Sequence, residues 1–322
     1  MNKTALGSTT NFYGYDHYKM GDIVDELGNT LPVPGNGRAK RARIDREGNL
    51  VANNLYYYDS TSVRRSVRDG LIFVDQNNLL SYGAVKDGVP GVSGPINDAA
   101  FAAAVAAGVD NLTIPCGNYY FSSTIVLPAE MTLQGEVKNC TIIQSAAAIA
   151  VQTNLFNVVR NLFILNNSGA AGTAAIDMQG SQQTLVENVR TGALVSNVYD
   201  TAIRMEATAG SNINTNTVKD SILNGNVLAL EIDGTLSAAF GNSLLNNIYG
   251  TLSASTNVVL ITQASGTVIL GGSMESVGAT NGINLSTGAL NTYLSIPATL
   301  GTITNDFVET ETADNVILGD TA

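Results

Sequence analysis

Between residues 174 and 287 one short pattern returns five times: an apolar residue, a variable one, then an apolar one. The copies are AAIDMQG (174–180), TAIRMEA (201–207), LALEIDG (228–234), NVVLITQ (257–263) and NGINLST (281–287). Their first apolar positions are Ile176, Ile203, Leu230, Val259 and Ile283, separated by 27, 27, 29 and 24 residues. The second positions are Met178, Met205, Ile232, Ile261 and Leu285. Side chains alternate across a strand, so both columns point to the same side. A further column is expected downstream, in LVENVRTG, VKDSILNG, LLNNIYG and LGGSMESVG. There Asn188, Ser221, Asn247 and Ser273 precede Val189, Ile222, Ile248 and Met274, and a glycine follows shortly after. Small polar side chains stacked coil upon coil can satisfy each other and the backbone of a turn.

A period near 25 residues, with strands, glycine turns and no long helices, predicts a parallel β-helix. No coil can bury its apolar face alone, so stacking builds one continuous core and pairs every strand with the next coil. Leucine-rich repeats would show a fixed leucine frame, and a propeller would need about twice the residues per blade. Residues 111–305 allow about eight coils at this period. Ahead of them, DAAFAAAVAAG (98–108) predicts one helix, with Asp98 as its N-cap and Gly108 at its end. The strands begin after it, in NLTIPCGNYYF, STIVLPAEMTLQG and CTIIQ.

Residues 1–80 read as a separate arm. NFYGYDHYKMGD and LYYYDS are rich in tyrosine, and RAKRARIDREGNL is basic. Short hairpins are expected in GDIVDELGNT and RARIDREGNLV, where alternating residues meet polar-glycine turns. Tyrosine with arginine is the composition of interface hot spots, so this arm is read as an attachment or oligomerisation segment.

Charge separates the two parts. The chain carries 16 Lys and Arg against 27 Asp and Glu, a net charge of −11. Residues 1–80 hold 10 basic and 9 acidic residues, leaving 6 and 18 for residues 81–322. The second part therefore repels phosphate backbones, and nucleic acid is not an expected partner. The two cysteines, Cys116 and Cys140, are too few for a disulfide scaffold or metal cage and are expected as reduced, packed thiols. No metal and no cofactor is called for. The start, MNKTALGSTT, lacks the apolar stretch of a secretory signal, and AAFAAAVAAGV (99–109) is too short to span a bilayer. Membrane insertion is not expected.

The stretch from SYGAVKDGVPG to MTLQG (81–135) resembles the lead-in of the pectate-lyase-like, right-handed parallel β-helix family found in bacteriophage tailspikes. The matching positions are Gly83, Ala84, Asp87, Gly88, Asp98, Phe101, Pro115, Gly117, Tyr119, Leu127, Pro128, Leu133 and Gly135. Two departures are visible: Ile96-Asn97-Asp98 stands where the family has an acidic pair and threonine, and Cys116 replaces a small residue. The resemblance implies a helix capping the N-terminal end of the coils (81–110) and a solenoid of single-stranded coils (111–305). It also implies a homotrimer, a virion-anchoring role for residues 1–80 and a host polysaccharide as ligand. The protein would then be a virion tail component, assembled in the host cytoplasm. The acidic tail 306–322 would close the last coil or pack between protomers.

The repeat frame also places charges. With Leu230 and Ile232 facing in, the alternate column Asp177, Arg204, Glu231, Leu260 and Asn284 faces out. Rungs lie about 4.8 Å apart, so Asp177, Arg204 and Glu231 are expected as an ion ladder on the surface. The next outward column is Gln179, Glu206, Asp233, Thr262 and Ser286. Stacked like charges raise one pKa, so Glu206 and Asp233, with Glu231 beside them, are the candidate catalytic carboxylates of a glycosidase or lyase. The competing reading is a screened pair of surface acids relieved by Arg204. Arg204, Asp177, Glu275 and Tyr249 are the candidate substrate-binding residues. Activity is left open: the three readings are glycan recognition, glycan cleavage and a purely structural role. The single histidine, His17, lies in the arm, so no histidine-dependent triad can form within the coils.

Overall fold

A computed structural model describes residues 77–322 except 168–171, 193–197, 296–297, 311–314 and 319–322, and before them the backbone of four short strands. The chain divides into two compact units, Met1–Val74 and Asp75–Ala322. In the first, Ala42–Ile44 pairs antiparallel with Leu50–Ala52, the hairpin expected in RARIDREGNLV. Tyr56–Tyr58 pairs in the same way with Arg64–Ser66. The other expected hairpin, GDIVDELGNT, and His17 lie outside the described residues.

The second unit is a parallel β-helix with three long files of strands and a short fourth one, Ile213–Asn214, Ala239–Phe240 and Ala264–Ser265, also parallel. The first file runs Asn111–Ile114, Thr132–Gly135, Val158–Arg160, Leu185–Glu187 and Thr217–Lys219, and continues to Tyr293–Ser295 and Val316–Leu318. The second runs Gly117–Phe121, Thr141–Ser145, Phe163–Asn166, Arg190–Thr191 and Ile222–Gly225, and then through the long strands Ser243–Thr251, Val268–Leu285 and Ala298–Glu309. The third runs Ile125–Val126, Ile149–Gln152, Ala174–Asp177, Thr201–Glu206, Leu228–Asp233 and Asn257–Thr262, ending in 281–285 and 305–309. The third file thus has eight rungs, joined by about seven turns. Every strand is parallel to its neighbours because each pairs with its counterpart one coil away.

The expected interior columns are present. Ile176, Ile203, Leu230, Val259 and Ile283 are register partners in succession, and all are fully buried. Met178, Met205, Ile232, Ile261 and Leu285 are buried with them. The second expected column is correct only in part. Ser221 and Asn247 do stack, the amide Oδ1 of Asn247 accepting from Ser221 N at 3.0 Å. Asn188, however, lies one place out of line. The hydroxyl of Ser221 accepts from Val189 N at 3.1 Å, while Asn188 sits below Asp220. Ser273 is likewise paired with Ile248, not Asn247. A one-residue slip exchanges the two faces of a strand, so Asn188 and Ser273 leave the column that Ser221 and Asn247 share.

The corner between the first and second files has one shape on successive rungs. Asn161, Asn188, Asp220 and Asn246 all adopt positive φ, between 52° and 58°, and Gly271 follows with φ 66°. Asparagine, aspartate and glycine tolerate this left-handed conformation best. Their side chains also stack: Asn188 donates to Asn161 Oδ1 at 2.7 Å, and Asn246 to Asp220 Oδ1 at 2.9 Å. From the third rung upward the first-file strand and the second-file strand are separated by the same step: Arg160 to Phe163, Glu187 to Arg190, Lys219 to Ile222. The other two corners vary in length. At one of them Gly225 approaches so closely that a Cβ would meet Leu228 O at 1.8 Å.

The N-terminal end is capped by a helix, Ser93–Ala106, which starts earlier than expected. Its first turn holds Gly94 and Pro95, where a missing N–H costs nothing. Asp98 is therefore inside the helix and not its N-cap. Its carboxylate turns to the first coil and accepts from Ser122 N at 3.2 Å and Ser123 N at 3.3 Å. Beside it Asn97 is fully buried: its amide accepts from Val85 N at 2.8 Å and donates to Tyr120 O at 2.9 Å. Ala100, Phe101 and Ala104 join the core, where the helix packs on Gly117–Phe121.

The cysteines also depart from expectation. Cys116 and Cys140 form a disulfide, with their Cα atoms 4.8 Å apart. Their separation of 24 residues equals one coil, so the two thiols lie on adjacent rungs, within bonding range. Among the described residues no helix is long and apolar enough to cross a membrane.

Candidate functional site

The outer side of the third file gathers five charged residues on three rungs. Asp177 pairs in register with Arg204, Arg204 with Glu231, and Glu206 with Asp233. Strand alternation puts Arg204 and Glu206 on one side of Thr201–Glu206, and Glu231 and Asp233 on the same side of Leu228–Asp233. The juxtaposition of Glu206 and Asp233 read from the repeat is therefore present.

The electrostatics differ from a surface ladder. The Asp177 side chain is fully buried, whereas Arg204 retains 21% exposure and Glu206 26%. Arg204 binds Asp177 through Nη2–Oδ2 at 2.8 Å and Nε–Oδ1 at 3.3 Å, a bidentate pair. Its Nη1 lies 3.3 Å from Glu206 Oε2. Burial pulls the arginine pKa down, but the hydrogen bond and charge of Asp177, with Glu206 and Glu231, outweigh it and hold the guanidinium above its ordinary value. Asp177 is thus an internal anchor for Arg204, and the expected surface ladder holds in pairing but not in exposure. The burial follows from the lower half of the wall, where all four residues of Ala174–Asp177 are enclosed.

Glu231 is the unusual acid. Removal from water raises its pKa first, Asp233 raises it further, and Arg204 only partly offsets them. The next residue in its column is Leu260, so one side of the carboxyl faces an apolar neighbour. Asp233 has a different fate. Its Oδ1 accepts from Thr235 N at 2.7 Å and also from the Thr235 hydroxyl, fixing the turn that leaves the strand. Thr235 lies outside the repeat pattern, although Asp-Gly-Thr at 233–235 is a turn signal in itself. The cluster can hold hydroxyl-bearing ligands through acceptors on Glu206 and Asp233. It also presents, at Glu231, a carboxyl that keeps its proton to higher pH than an ordinary glutamate.

Two candidates lie elsewhere. Tyr249 is fully buried inside the coils, where Asn247 donates to its hydroxyl at 3.2 Å; burial raises its pKa. It cannot line an outer surface, because its register partner Leu223 is also a core residue. Glu275 is exposed but belongs to the second file, between Gly250 and Leu300. Of the aromatics in the later coils, Tyr293 and Phe240 are 37% and 41% exposed, whereas Tyr199 is enclosed, its pKa pushed up to about 12 by burial. Among the described residues no set of three or more His, Cys, Asp or Glu side chains is placed to hold a metal ion.

No family model and no curated protein sequence matches the chain. Solved structures do. The protein ORF18 of Geobacillus virus E2 superposes with a TM-score of 0.52 at 11% identity, covering 86% of this chain and 69% of that one. PfbA, a surface adhesin of Streptococcus pneumoniae, gives a TM-score of 0.49 at 14% identity over 76% of this chain and 78% of that one. The enzymatically active domain of tailspike protein 2 from bacteriophage CBA120 gives 0.47 at 12% identity, over 87% and 47%. At such identities the shared property is architecture. With its files of stacked parallel strands and its capping helix, this chain is a parallel β-helix protein, similar in fold to the Geobacillus virus protein.

Proposed function

We propose that the chain is a tailspike-like virion protein that recognises a polysaccharide on the host surface. Residues 1–80 act as its attachment arm and the coils form a homotrimer. The observation that carries the reading is the charged strip on the third file. There Arg204, Glu206, Glu231 and Asp233 stand on adjacent rungs, held from below by the buried Asp177. Carboxylates and a guanidinium at strand spacing suit the closely spaced hydroxyls of an extended glycan. The lead-in motif at 81–135 and the shared fold with a viral protein support the same reading.

A second reading is favoured by Glu231. A carboxyl that holds its proton to higher pH than an ordinary glutamate, flanked by Asp233 and Glu206, suits general-acid cleavage of a glycosidic bond, with one of the neighbours as base or nucleophile. The two readings separate in one experiment. The protein is incubated with capsule and lipopolysaccharide from candidate hosts, and binding, new reducing ends and ultraviolet absorbance of unsaturated sugars are followed. Binding lost in Glu206→Gln and Asp233→Asn, without cleavage, supports recognition. Cleavage lost in Glu231→Gln supports the depolymerase. Neither binding nor cleavage overturns both and leaves a structural role.

A further inference from the structure

The second file carries an arginine whose guanidinium has no hydrogen-bonding or ionic partner among the described residues. Arg190 faces outward between Phe163 below and Ile222 above, its register neighbours. Its guanidinium carbon lies 4.8 Å from the centroid of the Phe163 ring. The guanidinium makes no hydrogen bond or ion pair with any described residue, and its Nε–H is shut off from solvent without an acceptor. The other outward arginines differ. Arg160 donates twice to Gln134 Oε1, at 2.9 and 2.7 Å, and Arg204 holds Asp177. A charged donor left unmatched costs more than a neutral one, and the two terminal nitrogens, which have no acceptor among the described residues, remain open to a ligand.

A second cation comes to the same corner from a distant part of the sequence. Lys138, in the turn between Gly135 and Thr141, reaches across coils to Asp220 O at 3.4 Å. Partial burial lowers its pKa, the nearby Arg190 lowers it again, and Asp220 pulls the other way. The carboxylate of Asp220 is itself engaged by Asn246, at 2.9 Å. Lys219 also lies near Asp220 but is paired with Glu187 at 2.8 Å, so Arg190 and Lys138 are left with Asp220 as the acid that acts on them. The adjoining outward positions are apolar: Ile142, Phe163, Ile222 and Ile248 form one half-buried column.

From these observations we infer a second ligand site, in which Arg190 and Lys138 take the carboxylate of an acidic sugar and the Phe163–Ile222 strip takes its apolar face. Arginine suits the planar carboxylate through a paired contact, and lysine adds a point charge. Sugar rings carry a C–H face that packs on aromatic and aliphatic side chains, so charge and strip together select a sugar acid over a small inorganic anion. The site lies on the first–second corner and the acidic strip on the third file. A polyanionic glycan repelled by the strip is held at the corner. The inference rests on the polysaccharide-recognition reading for its biological ligand, but not for its chemistry.

The test titrates the full chain with oligogalacturonate, oligoglucuronate, N-acetylneuraminic acid, a neutral oligosaccharide and inorganic sulfate. At least one acidic sugar is expected to bind, with an affinity falling as salt rises. The affinity should drop at least tenfold in Arg190→Gln and in Lys138→Met. Arg190→Lys should recover part of it. Absence of binding by every acidic sugar, equal binding of sulfate, or binding unaffected in both variants overturns the site. Host polysaccharide bound normally, with no acidic sugar held through Arg190, sinks this site and spares the proposed function. Acidic-sugar binding through Arg190, with no host polysaccharide bound, does the reverse.

Discussion

Arg204 stands one rung above Asp177 and closes on it with two hydrogen bonds, of 2.8 and 3.3 Å, while the carboxylate has no exposure to water. The acid and the base are 27 residues apart in sequence and adjacent in register. A buried ion pair is worth little against a well-packed apolar pair, but removing one partner strands the other.

Arg204→Met should accordingly destabilise the chain by about 3 kcal/mol, because Asp177 is left buried and unpaired. The double variant Arg204→Met with Asp177→Leu should recover most of that loss. Denaturant midpoints of the single and double variants check it. A double variant no better than the single would show that packing, not charge, sets the cost.

Glu231 ties stability to pH. Its pKa is higher in the folded chain than in the unfolded one, through burial first and Asp233 second. The folded state therefore holds the proton more tightly. Its contribution is fully present below the ordinary glutamate pKa and is lost as pH rises through the folded value. Glu231→Gln should flatten the stability profile over that window and stabilise the chain at neutral pH. Urea titrations across mildly acidic to neutral pH measure both effects.

Cutting the disulfide should loosen the N-terminal end. Closing a loop of 24 residues is worth about 3 kcal/mol by the chain-entropy argument. Cys116→Ser with Cys140→Ser should lower the unfolding midpoint by a comparable amount. Peptide mapping without reductant should recover the Cys116–Cys140 link from the unmodified chain. Two free thiols in that map would contradict the pairing.

Asn247 is a polar knot in an apolar core. Its amide accepts from Ser221 N and donates to Val218 O at 2.9 Å and to the Tyr249 hydroxyl. Asn247→Leu keeps the branching of the side chain but orphans those groups, at roughly 1–3 kcal/mol for each. A loss near that of a surface substitution, under about 0.5 kcal/mol, would show that the ladder is dispensable.

Much of this architecture was legible in the sequence because it is periodic. Ile176, Ile203 and Leu230 announce one interior column, and counting outward from them places Glu206 beside Asp233. What failed was whatever depends on surroundings and not on period. Asp177 obeys the outward alternation yet is enclosed, since burial is set by neighbouring chain and not by strand phase. Tyr249 reads as a surface aromatic until its register with Leu223 turns it inward. The cysteines look too few to matter, although their spacing is that of a coil and brings them together. Arg190 and Lys138 are 52 positions apart, unrelated by the repeat, and only the fold brings them to one corner.

The uniform step between the first two files has a consequence for how such a chain can change. Each left-handed turn at Asn161, Asn188, Asp220 and Asn246 seats the next, so lengthening any one would dislocate all those above it. The remaining two edges already accommodate excursions of unequal size. Novelty in what the molecule touches can therefore accumulate along those edges by insertion and exchange, while the stitched edge keeps the stack in alignment.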